Sequence, residues 1–271
     1  MKLKSLVWTL GMRPAAVRYG TSMLRFELPS EGEIEFAKWD HPKDYFRPFG
    51  QELVDNLRRF ISPGDTVLDI GAHSGDFTVP MALAAGTAGC VFAFEPNPYV
   101  FDVLAENSLL NLDKTQIVPV RAAAACEEGT LEFKYSDPGY CNGGRFEAIS
   151  RWRHGHPFTL QVQAIRAAEW IEARFPGRLA KTSFVKVDTE GAELEVVESL
   201  CDVIATARPV LHLEMYRHSP AARRLTLFET LGRHGYTVYR TDDGYGCRPG
   251  PRLAADDLMR WPHYDVLALP E

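Results

Sequence analysis

From about residue 51 the hydrophobic positions fall into two alternating rhythms. GQELVDNLRRFI places Leu53, Leu57, Phe60 and Ile61 at the spacing of a helix that buries one face. SPGD reads as a turn, and TVLDIG is a short β-branched run suited to a strand covered on both faces. The pair then repeats. FTVPMALAAG predicts a helix with Pro80 in its first turn, and CVFAFEP a second buried strand. NPYVFDVLAENSLLNL predicts a helix with Pro98 near its start, where a missing N–H is tolerated. QIVPVRAAA predicts a third strand.

The rhythm breaks over residues 126–165. There EGTLEFKYSD and FTLQVQAI predict a β-ribbon on either side of the loop GYCNGGRFEAISRWRHGHP. Beyond it the alternation returns: RAAEWIEARF (helix), FVKVDTEG (strand), AELEVVESL (helix), PVLHLEM (strand) and AARRLTLFETLGRHG (helix ending at Gly235). YTVYR and YDVLALP close the chain as an antiparallel hairpin around a polar loop. Strands alternating with helices predict an α/β fold, a parallel sheet with helices on both faces, which the closing hairpin makes mixed. The expected sheet has seven strands, with a β-rich insertion before the fourth. The expected division is an N-terminal helical or β extension over 1–50, packed on a core domain over 51–271 that carries the insertion 126–165.

A chain of 271 residues can bury a full core. Its net charge of −6 argues against a nucleic-acid partner, which normally meets a basic footprint. The five cysteines are scattered and form no CxxC pair, so they read as reduced thiols of a cytoplasmic protein, without a disulfide framework or structural zinc. No run reaches the 18 or so apolar residues of a membrane span. The N-terminal run LVWTLGM is at the short limit of a signal-peptide core and no A-x-A site follows. It reads as a packing helix, with a peripheral place on a membrane surface as the alternative.

Candidate chemistry concentrates at the ends of the strands, where ligands bind in open α/β sheets. In VLDIGAHSGDF, Asp69 closes the first strand, and Gly71 and Gly75 let the backbone approach a ligand and turn into the next helix. Glu95 ends the second strand, where an acid can accept hydrogen bonds from both hydroxyls of a ribose. The ligand expected is therefore a nucleoside. A dinucleotide fingerprint needs glycines where His73 and Asp76 stand, and Asp76 would set a negative charge beside a pyrophosphate. NAD and an oxidoreductase are disfavoured on those grounds. A cofactor with a cationic centre and no phosphate, S-adenosylmethionine, suits the acidic loop.

VLDIGAHSG, FAFEPNPYVFDVLAENSLLN, FVKVDTEGAELEVVESL and RPVLHLE together resemble the successive signatures of the FkbM-type methyltransferases, from about residue 50 to 215. The resemblance implies the class I, Rossmann-like methyltransferase fold and S-adenosylmethionine as cofactor. It implies mostly O-methylation of hydroxyls on sugars, glycolipids or polyketides, with carboxylates as occasional acceptors. On that match Asp69, Gly71 and Gly75 lie along the methionine part and Glu95 on the ribose, and His73 and Asn97 join the cofactor set. His73 departs from the asparagine such loops commonly carry.

The acceptor is expected at the ends of FVKVD and LHLE. Side chains alternate along a strand, so Lys186 shares a face with Asp188, and His212 with Glu214. Buried charges need partners, so Asp188, Glu190, Glu193, His212 and Glu214 are expected to crowd one end of the sheet. Two readings stand open. Asp188, Glu214 or His212 could take the acceptor's proton, or the acids could hold Mg²⁺ or Mn²⁺ that lowers the hydroxyl pKa. Glu190 is placed with the substrate. Arg145, Arg151 and Arg153 of the insertion are either a solvated loop face or, as arginine forks, a site for an anionic acceptor, with Asn142 in a tight turn near the substrate. His154 and His156 alone make a weak metal signal. A small-molecule or glycan acceptor, possible homodimer formation and no nucleic acid complete the expected partners.

Overall fold

Residues 17–44, 46, 48–135, 158–241 and 247–271 are described in the computed structural model, except the side chain of Phe158. The apolar runs form the central strands β3 (Thr66–Ile70), β4 (Cys90–Phe94), β5 (Ile117–Val120), β9 (Thr182–Val187) and β10 (Val210–Met215). These five are parallel, and β13 (Tyr264–Pro270) pairs antiparallel with both β10 and β11 (Tyr236–Thr241). With β12 (Pro249–Arg252) at one edge, the order across the sheet is β12-β11-β13-β10-β9-β3-β4-β5. The topological reversal lies between β3 and β9, the point at which such sheets bind ligands. This is the class I methyltransferase sheet. It has eight strands rather than the expected seven, because β12 (Pro249–Arg252) in the polar loop adds an edge strand on β11.

Every residue of β3 and β4 is buried, because helices cover both faces. Val67, Val91 and Ala93 pack with α1 (Gln51–Leu57) and α2 (Thr78–Ala85). Leu68, Ile70, Phe92 and Phe94 pack on the other face with α4 (Ala167–Arg174), α5 (Glu193–Ser199), α6 (Cys201–Ala207) and α7 (Ala221–Arg233). Each strand thus sends alternate side chains into two separate cores. Proline opens α3 (Pro98–Asn107), and Asn97 caps it by accepting from the Tyr99 N–H at 2.9 Å.

Two smaller sheets flank the large one. Residues 123–124 do not continue the third strand. Ala123–Ala124 (β6) instead pairs with β8 (Phe158–Ile165), which pairs antiparallel with β7 (Gly129–Tyr135). The second is a hairpin of β1 (Thr21–Leu28) and β2 (Gly32–Trp39). Asn107 ties this hairpin to the glycine loop: its Nδ2 donates to the Ala37 and Ser74 carbonyls at 2.9 and 2.8 Å, and its Oδ1 accepts from the Ala37 N–H at 2.7 Å. Among the described residues no helix is long and apolar enough to cross a membrane.

Candidate active site

Three strand ends meet at Gly71. The Gly71 and Ala72 N–H groups donate to the Phe94 carbonyl of β4 at 2.9 and 3.0 Å, and the Asp188 N–H donates to the Ile70 carbonyl at 2.9 Å. Gly71 sits at φ +84°, and a Cβ there would lie 1.8 Å from the Asp188 carbonyl oxygen. Only glycine fits both the conformation and the space. The loop then turns back at His73, a non-glycine residue at φ +50°. That turn aims the His73 N–H at Glu95 Oε2, 3.0 Å away, while the Asn97 N–H donates to Oε1 at 2.7 Å. A carboxylate offers about four acceptor positions, so two remain for a ligand. Burial pushes the Glu95 carboxyl above its usual range, with the two backbone donors partly opposing.

Gly71 and Glu95 line a cavity of about 380 Å³ together with Asp188 and Glu190. Leu131, Phe133 and Tyr135, alternate residues of β7, complete an apolar part of its wall. Of the six residues expected to hold the cofactor, only Gly71 and Glu95 are on the wall. Gly75 packs against Leu104 of α3, and His73 sets its ring against Trp39. Asn97 is a buried helix cap.

Asp69 also lies beneath the loop, with 0% of its surface exposed. The strand runs one residue past it, so its side chain turns into the α1–α2 face and is not among the described residues of the cavity wall. Register aligns Asp69 with Lys186 and Lys186 with His212, a polar row across three strands. Asp69 accepts from Thr78 Oγ1 at 2.5 Å. Lys186 Nζ stands 3.8 Å from Asp69 Oδ1 and 3.2 Å from Asp188 Oδ2. Burial disfavours the ammonium, but Asp188 and Asp69 outweigh it and hold Lys186 charged, above its ordinary pKa. Burial likewise works against the Asp188 charge, and Lys186 outweighs it, holding that carboxyl below its usual range. Asp188 keeps 47% of its side chain exposed, toward the cavity it lines.

The other expected acids separate. Glu193 Oε1 turns back to accept from the Thr189 and Gly191 N–H groups and Thr189 Oγ1, at 3.2, 2.8 and 2.9 Å, so it clamps the turn before α5. Neither His212 nor Glu214 is among the described residues of the cavity wall. The His212 ring stacks on Phe77 at 5.5 Å, and burial and Lys186 lower its pKa to about 3, which makes it a weak base. Glu214 is 7% exposed, and its Oε2 has no hydrogen-bond partner among the described residues. Burial, then Asp188 and neighbouring carboxyls, push it up to about 11, which favours its neutral form, and His263 Nδ1 stands 3.4 Å from its Oε1. Their place across the sheet, not side-chain parity, is the reason for both placements. His212 and Glu214 share the strand face of Lys186, but on a neighbouring strand, further from the reversal point.

Among the described residues no cluster of three or more His, Cys, Asp or Glu side chains could hold a metal ion. The Lys186 ammonium already stands between the Asp69 and Asp188 carboxylates, so the residues present do not fit the expected divalent cation. Asn142, Arg145, Arg151 and Arg153 lie outside the described residues. Tyr216 beside Glu190 and the β7 stripe were not anticipated. The period-2 pattern of TLEFKY carried the signal for the stripe, whereas Tyr216 is placed only by the loop after β10.

The chain is 29% identical over 161 residues to the hexuronic acid methyltransferase AglP of Haloferax volcanii, which covers 59% of this chain and 60% of that protein. It is 28% identical over 155 residues to the methyltransferase sdnD of Sordaria araneosa, covering 49% and 60%. This chain thus spans 60% of the length of each of these relatives. Among solved structures, a methyltransferase FkbM of Methylobacillus flagellatus aligns at 13% identity and a TM-score of 0.45, over 79% of this chain and 50% of that one. Aeropyrum pernix fibrillarin with natively bound S-adenosyl-L-methionine aligns at 14% identity and a TM-score of 0.44, over 94% and 85%. The Methyltransferase FkbM domain itself matches residues 69–238, from the glycine loop through both acid-ended strands to β11. By that match over more than half of its length, this chain belongs to the FkbM methyltransferase family.

Proposed function

We propose that this chain transfers a methyl group from S-adenosylmethionine to a hydroxyl of a sugar-type acceptor. The observation that carries the reading is the convergence of Gly71 and Glu95 on one cavity. Gly71 offers bare backbone to the methionine part, and Glu95 an anchored carboxylate to the ribose diol. When bound, the cofactor supplies an electrophilic methyl group on a cationic sulfonium. Asp188, Glu95 and Glu190 suit that charge, and no basic side chain stands among the described residues of the wall. The same wall opposes a pyrophosphate, which weighs against a nicotinamide dinucleotide. The sugar acceptor draws support from the hexuronic acid named for the Haloferax relative.

Calorimetry with S-adenosylhomocysteine and NADH tests the cofactor. Only the former is expected to bind, and the reverse result overturns the reading. Labelled methyl transfer to glucuronic acid then tests the acceptor. Label that survives mild base is an ether on a hydroxyl; label released by base is an ester on the carboxyl and would replace the hydroxyl reading.

Glu95→Ala removes the charged acceptor of the ribose diol. A hydrogen bond to a charged group is worth roughly 1.5–3 kcal/mol, so S-adenosylhomocysteine should bind about 10- to 100-fold more weakly. The circular dichroism spectrum should stay unchanged. Equal affinity in wild type and variant would take Glu95 out of the site.

A further inference from the structure

Building on the methyltransferase reading, we infer that Glu190 is the base that takes the proton from the acceptor hydroxyl, with Tyr216 as its positioning residue. The other carboxylates of the wall are committed elsewhere. Asp188 is paired with Lys186, Glu195 with Arg223, and Glu95 with two backbone N–H groups. Glu127 lies exposed at the cavity's edge. Glu190 lines the cavity two residues from Asp188, and the hydroxyl of Tyr216, in the loop after β10, acts on its carboxyl to favour the charged form.

The backbone is built to present it. Glu190 holds φ +56° without being glycine, and Gly191 beside it holds φ +113°. Such a turn persists only when its surroundings over-determine it. Here Glu193 gathers the N–H groups on both sides of Glu190, and Arg223 Nη2 donates to the Gly191 carbonyl at 2.9 Å. Strained residues held this way cluster at active sites.

The electrostatics fit a base. Asp188 from the end of β9, Glu193 from α5, Glu214 from β10, and Tyr216 and Arg217 from the following loop all act on Glu190. Burial, then the Asp188 charge, push its carboxyl up to about 7, while Tyr216 and Arg217 oppose. A base works best with a pKa near the operating pH. In the step, the hydroxyl proton passes to a Glu190 carboxylate oxygen. The electron pair left on the acceptor oxygen forms the new C–O bond, and the C–S pair leaves with sulfur as a neutral thioether.

The test uses the full chain, S-adenosylmethionine and glucuronic acid as the probe acceptor. Glu190→Gln should lower kcat at least about 100-fold, the lower end of a general base's contribution, with S-adenosylhomocysteine affinity within about threefold of wild type. Wild-type kcat/KM should rise with pH through a limb near 7. Tyr216→Phe removes a donor that favours the carboxylate, so it should move that limb to higher pH, which a merely structural tyrosine would not do. Wild-type turnover in Glu190→Gln overturns the assignment. If wild type binds S-adenosylhomocysteine but leaves glucuronic acid unmethylated, the acceptor reading has failed and Glu190 is judged separately. The ¹³C-glutamate resonance that disappears in Glu190→Gln should then titrate near 7 in the S-adenosylhomocysteine complex. Titration in the ordinary carboxylate range overturns the base.

Discussion

Lys186→Met will be among the most destabilising single substitutions in this protein. It removes the cation between Asp69, which is fully buried, and Asp188. Breaking a buried pair by deleting one partner costs about 3–5 kcal/mol. On the usual scale of 2–4 °C per kcal/mol, the melting midpoint should fall by roughly 6–20 °C at pH 7. The pH dependence identifies the cause. In the wild type Asp188 is held below its usual range, so its contribution is present above the unfolded carboxylate pKa and lost as pH falls through the folded value. Lys186 is held above its usual range, so its contribution is complete below the unfolded amine pKa and lost as pH rises through the folded value. In the variant both carboxylates lack their cation, and burial raises them. Protonation then relieves the cost, so the deficit relative to wild type should shrink as pH falls from 7 to 5. Thermal melts at four or five pH values would show it. A deficit that stays constant across that range would mean lost packing of the lysine stem rather than lost charge.

Gly71→Ala should weaken cofactor binding at least about 100-fold while Gly64→Ala spares it. Both positions have positive φ, +84° and +98°, so both substitutions carry backbone strain. Only at Gly71 would the new methyl meet anything: it would lie 1.8 Å from the Asp188 carbonyl oxygen, whereas Gly64 has nothing within 4 Å. A carbon–oxygen contact needs about 3.3 Å, so loop and strand must part by more than an ångström. Misplacement on that scale can cost about 100-fold in a positioned site. S-adenosylhomocysteine affinity should therefore fall at least about 100-fold in Gly71→Ala and less than about threefold in Gly64→Ala, measured by calorimetry. Equal losses would assign the effect to backbone strain alone and remove the close approach as its cause.

Much of this architecture was legible in the chain because the relevant interactions are local. Strands such as CVFAF are buried on both faces and announce themselves as short apolar runs, and Pro98 marks the start of its helix. The glycine loop and Glu95 are likewise local, since each is fixed by the end of one strand and the few residues after it. The hairpin of residues 21–39 was less legible, because its strands carry exposed polar residues and its packing depends on Asn107, far along the chain.

Tertiary structure decided which of the polar strand-end residues line the cavity. Parity along FVKVD and LHLE allowed Asp188, His212 and Glu214 one shared role. Inter-strand register instead set Lys186 between Asp69 and Asp188 and left His212 and Glu214 off the described cavity wall. Glu190 depended on a left-handed turn clamped by Glu193 and Arg223, two contacts that no spacing in TEGAELE reveals. The sequence by itself determined the central parallel strands, most of the helices between them, the glycine loop and the family, because hydrophobic periodicity and turn chemistry are carried by neighbouring residues. The register, the buried lysine and the choice among carboxylates came only with the fold, because burial and Coulomb energy depend on distances between residues far apart in the chain.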